Sequence, residues 1–515
     1  SLPARQVKCS ALPAPPRELF ADTFKGSGER EASSTMVMVR LLSKLLRDDA
    51  LGKYIVPIVP DEARTFGMDG LFPQAGIYSP AGQRYSPVDA GTIAPYKEAE
   101  DGQILQEGIC ETGAMASFLA AGTAYANYAL PMIPFYIFYS MFGFQRVGDM
   151  IWACGDMLAR GFLLGGTSGR TTLNGEGVQH QDGHSHLIAS TVPNLKSYDP
   201  AFGYELGVIV REGITRMYHE QRDEFYYLTL TNQNHLMPAL PEMTEPELVV
   251  LEQQICAGMY LFATDNVPAD VNLFGSGAIM QEVLSAARVL RERGLAVDVW
   301  SVTSYNELAR EGQAAERLKL HALGGEAEDA YVGKMLAERD GVFVAASDYQ
   351  KALPLSIERW VPGPYAVLGT DGYGLSEARP EDVGIKLGYA RSLLLADRME
   401  EAEGLAREIL VVEPTSGWAN YIIGYQKSQS GEFEEAAEFL TLAARALPEV
   451  AEIKSLLAFA ESGGTAAPVE PEAPVAPTPA QEVMAGPVTW EGLWKQAALN
   501  RLIAGREGYL GEGGV

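Results

Sequence analysis

The longest break in the alternation of polar and apolar positions runs from Thr112 to Gln145, 34 residues without a charged side chain. An uncharged run of that length matches a membrane span, but Asn127, Pro131, Pro134 and several glycines interrupt it. It divides into a small-residue helix over 113–128 and a β-rich apolar piece over 132–139. A buried helix followed by a buried parallel strand gives this pattern, because a strand covered on both faces has no polar side to alternate. Upstream, Ser33 and its neighbours cap a helix over 36–46. The stretch 54–59 reads as a strand that delivers Asp61, Glu62 and Arg64 at its C-terminal end. Downstream come a helix over 201–218 and a strand over 225–231, then strands at 271–274, 296–302, 342–346 and 365–368 with a helix at 279–293. Such alternation predicts an α/β fold of two mostly parallel-sheet domains, 33–240 and 247–376. Residues 1–32, with prolines at 3, 13, 15 and 16, read as a linker, and the opening reads as mid-protein.

The period changes after 376. Over 381–460, Met399 matches Phe433, Ala402 matches Ala436 and Pro414 matches Pro448, a spacing of 34 residues. Small residues at helix crossings with a closing proline are a tetratricopeptide-like signature, here an all-α helical-repeat tail of two units read as an interaction module. Residues 463–487 are rich in alanine and proline and read as a disordered tether. In 488–515, Trp490, Leu493, Trp494, Ala497, Leu499 and Leu502 fall on a short amphipathic helix that can dock on a partner or fold back.

Composition narrows the function. Apolar residues make up 47% of the 515, and the net charge of −27 argues against nucleic acid and anionic membrane partners. Four cysteines without a CxxC fit a reduced, cytoplasmic setting. Glu111 heads the uncharged run, and a glycine-rich stretch over 165–177 leads to His180, His184 and His186, three of the six histidines. An acid beside an apolar wall, followed by a polar loop dense in proton carriers, is how an active site looks. From the residues alone, other readings stay open. Glu111 can be a helix N-terminal acid, Asp61, Glu62 and Arg64 a surface ion-pair cluster, and Phe142 plain core. The histidine spacing does not match a zinc site, so no metal ligand is assigned, and His184 and His186 are read as hydrogen-bonded structural partners.

Four long strings then carry a resemblance: PDEARTFGMDGLF, GQILQEGICETGA, PMIPFYIFYSMFGFQR and GRTTLNGEGVQHQDGHSH. They resemble the middle domain of the homodimeric pyruvate dehydrogenase decarboxylating component, a thiamine diphosphate enzyme of the transketolase superfamily. The resemblance runs from about 33 to 376 and implies a pyrimidine-binding domain followed by a transketolase C-terminal-like domain that supports a dimer. It implies that Glu111 holds the pyrimidine ring nitrogen, in a low-dielectric setting suited to an acid. Phe142 is implied to stack on that ring, and Tyr139 and Arg146 to line the same pocket. His180 is implied to face substrate and shuttle protons, with Asp61, Glu62 and Glu176 close by.

The implied reaction is decarboxylation of pyruvate with transfer of the acetyl group to a lipoyl group on an acetyltransferase partner. The family binds the cofactor diphosphate through magnesium with a Gly-Asp-Gly motif, which does not occur in these 515 residues. The expectation is therefore a pyrimidine half-site that needs a diphosphate-binding chain or domain, in a homo- or hetero-oligomer. The alternatives are a non-catalytic scaffold and a related enzyme for another 2-oxo acid or a ketose.

Overall fold

The computed structural model describes residues 9–60, 63–92, 94–173, 178–321, 328–371, 390, 399–448 and 450–465. The chain divides into two compact units, Ser1–Ala378 and Arg379–Val515.

The first unit holds two large sheets and a small two-stranded one that pairs Ile77–Tyr78 with Glu98–Ala99. Helix α1 (Ser34–Leu45) opens with Ser33, whose hydroxyl accepts from the Met36 N–H at 3.2 Å. This satisfies a donor that the helix itself leaves over. The first sheet then gathers β1 (Ile55–Val59), β2 (Leu105–Gln106), β3 (Ile133–Tyr139), β4 (Phe162–Gly166), β5 (Leu195–Tyr198) and β6 (Phe225–Thr229) in the order β2-β1-β3-β4-β6-β5, all parallel. Helices α2 (Glu111–Tyr128), α3 (Ser140–Asp156) and α4 (Gly203–Ile214) belong to this part, α4 running on into a π-helical turn at Thr215–His219. The uncharged run is thus α2, β3 and the start of α3, with Phe118, Ile133, Phe135 and Phe138 fully buried. Among the described residues, no helix is long and apolar enough to cross a membrane.

Residues before Ser33 do more than link. Phe20, in the short helical turn Arg17–Phe20, is fully buried, and the Leu12 N–H donates to Tyr218 O at 2.9 Å. Strands β4 and β5 have no counterpart among the expected elements. Strand β4 ends in two glycines and reads as loop, and β5 is a four-residue edge strand carrying Lys196.

After α5 (Glu245–Ala257) the second sheet collects β7 (Tyr260–Ala263), β8 (Val271–Gly275), β9 (Val297–Ser301), β10 (Val342–Ala346) and β11 (Tyr365–Leu368) in the order β11-β10-β8-β9-β7. Only the edge strand β7, also unforeseen in the sequence, runs antiparallel. Helices α6 (Met280–Glu292) and α7 (Tyr305–His321) belong to this part, with the shorter helices Tyr331–Leu336 and Ala352–Leu355.

In the second unit, α8 (Met399–Val412), α9 (Gly417–Gln429), α10 (Phe433–Ala446) and α11 (Ala451–Glu461) share a core that includes Ala402, Ile409, Ile422, Ala436 and Leu440. Met399 and Phe433 open α8 and α10, 34 residues apart, and Ala402 and Ala436 are both fully buried. The expected amphipathic helix over 490–503, and the tether apart from 463–465, lie outside the described residues.

Candidate active site

The site lies at the C-terminal ends of β1, β3 and β4, the usual place for ligands in an open parallel sheet. Glu111 is the first residue of α2, whose N-cap Cys110 accepts from the Gly113 N–H through Sγ at 3.3 Å. The segment before it is tied down, because the Glu107 N–H donates to Val59 O at 3.1 Å and Ser117 Oγ donates to Glu107 Oε1 at 2.5 Å.

Strand β3 passes directly into α3, so Tyr139 ends one element and Ser140 begins the next. Phe142 and Arg146 are four apart on α3 and share a face. The Arg146 guanidinium lies 3.9 Å from the Phe142 ring centroid, and Arg146 Nη1 meets Glu111 Oε1 at 2.5 Å. The Glu111 side chain is only 13% exposed, against 48% for Arg146. The expected apolar wall beside Glu111 is therefore completed by a cation. Just past Arg146, the φ/ψ of −130°/21° at Val147 kinks α3.

His180 closes the group. Its ring packs edge-on against Tyr139 at 4.9 Å and tilted against Phe142 at 5.2 Å. The fold thus brings together Glu111, Phe142, Tyr139, Arg146 and His180. Asp61, Glu62 and Glu176 lie outside the described residues. One member was missed: Phe66 packs on Tyr139 at 5.1 Å. Gly166 makes room for it, since a Cβ there would stand 2.5 Å from the Phe66 ring. The PDEARTF string contained Phe66, but only the pairing of Tyr139 with Gly166 explains its place.

The other loop histidines differ in setting. Burial pushes the His184 pKa down, and the Arg170 charge pushes it the same way. Burial also pushes His186 down against the pull of Asp199 and Asp182, which favours a neutral ring at pH 7. Its Nε2 lies 3.1 Å from Thr229 Oγ1, and its ring packs edge-on to Tyr349 at 4.8 Å. Among the described residues, no group of three or more His, Cys, Asp or Glu side chains can hold a metal ion.

Residues 12–238 match the pyruvate dehydrogenase E1 component middle domain, and 258–384 match the transketolase-like C-terminal domain. Residues 12–238 thus belong to the pyruvate dehydrogenase E1 middle-domain family. The chain is 53% identical over 382 residues to the pyruvate dehydrogenase E1 component of Pseudomonas aeruginosa, covering 73% of this chain and 42% of that one. The Escherichia coli K12 relative of the same name is 51% identical over 355 residues, covering 68% and 39%. The chain thus spans about two fifths of the length of these family members. The family match starts at residue 12, ahead of the motif resemblance, and this stretch is held to the fold by the buried Phe20 and the tie at Leu12. A transketolase from Pichia stipitis, solved with xylulose 5-phosphate, superposes with a TM-score of 0.50 at 15% identity, over 73% of this chain and 46% of that one. This likeness shows the shared α/β fold.

Proposed function

We propose that this chain supplies the pyrimidine half of a thiamine diphosphate site in an enzyme that decarboxylates pyruvate and passes the acetyl group to a lipoyl group on an acetyltransferase partner. The observation that carries the reading is the convergence of Glu111, Phe142, Tyr139, Arg146 and His180 at one strand–helix junction. The residues fit such a cofactor. Phe142 is half-buried and already holds a flat, polar cation against its ring, so that face accepts a planar polar group. Glu111 stands on the same side, reached by the same guanidinium.

In this reading Phe142 fixes the plane of the pyrimidine, and Glu111 holds a proton at its ring nitrogen. Arg146 sets the direction of the Glu111 carboxylate. When bound, thiamine diphosphate supplies the electron sink for the bond to carbon dioxide. His180, held edge-on by Tyr139, moves a proton at the substrate oxygen. Tyr139 orients that ring and keeps water from one side of it. Magnesium and the diphosphate belong with the other half of the site, on a diphosphate-binding domain or chain, within a cytoplasmic oligomer.

The test is complementation. This chain is mixed with the part of the Pseudomonas aeruginosa relative that lies outside the match, with thiamine diphosphate and magnesium added. Pyruvate-dependent carbon dioxide release and lipoyl acetylation are expected from the mixture, and little from either part alone. Calorimetry should show weak cofactor binding by this chain alone. Tight binding by the lone chain, or no turnover in a mixture that assembles, overturns the reading.

A further inference from the structure

None of Glu111, Tyr139, Phe142, Arg146 and His180 comes from the second sheet, yet its strand β10 ends against the loop that carries His180. Thr171 Oγ1 donates to both oxygens of Asp348, at 2.8 and 3.0 Å. Arg170, with 1% of its surface exposed, donates from Nη1 to Thr370 O at 2.5 Å, and Thr370 Oγ1 donates to Asp348 O at 2.5 Å. The first limb of the loop is thus held by the second sheet. The second limb is held by the same short segment, because the Gln350 N–H donates to Gly183 O at 3.1 Å.

The two limbs are also laced to each other. Gln181 Nε2 donates to Leu173 O at 3.3 Å, and a Cβ on Gly183 would stand 2.1 Å from the Arg170 guanidinium. Gly169, at φ +95°, lets the chain turn against Ala278 and Asp348, where a Cβ would meet the former at 2.7 Å and the latter at 3.3 Å. With both limbs held at the end of one strand, His180 on the second limb stands where that strand sets it.

We infer that Asp348 is a positioning residue for His180: from the end of β10 it fixes the first limb of the histidine loop through Thr171, while its neighbour Gln350 fixes the second limb at Gly183. This rests on the reading of His180 as the proton carrier. Asp348 itself touches no reacting atom. Its work is to set where the imidazole stands between Tyr139 and Phe142.

Hydrogen exchange on the full chain, read by mass spectrometry, tests the grip without any need for turnover. Thr171→Val keeps the shape and removes the donor, and Thr171 is only half-buried, so folding should survive. Amides over 168–186 should exchange about tenfold faster in this variant, the effect of one lost charged hydrogen bond on local opening. Peptides from β3 and β6 should not change, Thr171→Ser should restore protection, and Asp348→Ala should loosen the same peptides.

In the complemented enzyme, Thr171→Val should lower kcat by about tenfold with little change in KM for pyruvate. It should have no further effect once His180→Ala is present. Unchanged exchange in both Thr171→Val and Asp348→Ala overturns the grip, whatever the turnover. Full turnover in His180→Ala, with exchange still raised in Thr171→Val, overturns the catalytic purpose of the grip and the reading of His180 while leaving the grip standing.

Discussion

Glu111 shows how much one residue depends on its surroundings. It sits at the positive end of α2 and is paired with Arg146, so two independent sources of positive potential converge on one carboxylate. Glu111→Gln keeps the shape and a hydrogen bond but has no carboxyl proton to hold. In the complemented enzyme it should bind cofactor with similar affinity while kcat falls by about a hundredfold or more, close to 3 kcal/mol of transition-state stabilisation. Steady-state turnover with calorimetry checks both halves of that statement, and an unchanged kcat moves the role to another carboxylate such as Glu107. His180→Ala should likewise cost about a hundredfold in kcat with cofactor affinity kept.

Asp348 gives a residue-scale prediction about pH. Burial raises its pKa from the ordinary 3.8 to about 6, with the Asp199 charge adding to this and Thr171 and Arg170 opposing it. The folded state therefore holds the extra proton between those two values. Stability from this group is full below about 3.8 and is lost as pH rises through about 6. Asp348→Asn cannot titrate, so its stability relative to wild type should improve by about 2–3 kcal/mol between pH 4 and pH 7.5. Urea midpoints at the two values read this directly, and a gap that stays constant across the range shows that Asp348 titrates alike in both states. The Glu111 and His180 strings were legible because those residues stand out by type and neighbours. Asp348 and Thr171 were not, because their meaning lies in a contact across 177 residues of chain.

At the scale of elements, the site is built on the direct passage from β3 into α3, and that passage depends on close packing. A Cβ at Gly143 would stand 2.1 Å from the Phe138 ring, which is fully buried in β3. Neither the strand nor the first turn of α3 has room to yield without moving Phe142. Gly143→Ala should cost about 1–3 kcal/mol by overpacking and should also weaken cofactor binding in the complemented enzyme. Denaturant midpoints and calorimetry separate the two effects; a variant with wild-type stability would mean that the Phe138 ring turns aside freely. The apolar run 112–145 announced α2 and this strand, since burial on all sides leaves a plain signal, whereas α3 was not among the expected elements. Strand β4 gave none, because the same glycines that admit Phe66 and Tyr227 beside it read as loop. Strands β5 and β7 are short edges, where pairing on one side alone asks little of the sequence.

At the scale of the whole first unit, the two sheets are joined by polar groups as well as by core. One hydrophobic cluster runs from Leu12 through the first sheet to Val297 and Val299 of β9. Across this join, Glu205 of α4 is fully buried and accepts four hydrogen bonds. Two come from the Ala201 and Phe202 N–H groups at 2.7 and 3.0 Å, and two from Tyr260 OH and Ser301 Oγ of the second sheet at 2.7 and 2.6 Å. Every one of these partners is a donor, so a carboxylate is the group that suits them all. In Glu205→Gln the amide oxygen stays with the two backbone N–H groups only if its N–H₂ faces Tyr260 and Ser301, whose hydroxyls must then turn to accept and lose the donor bonds they make now. That should cost about 2–4 kcal/mol. Because the core is continuous, the loss should be felt in both sheets. Native-state hydrogen exchange on the full chain reads this, with the slowest amides of β3 and β4 compared with those of β9 and β10. Equal loss of protection in the two groups is the expected result. Loss confined to β9 and β10 would mean that the second sheet opens by itself, and the placement of the His180 loop would then rise and fall with that opening.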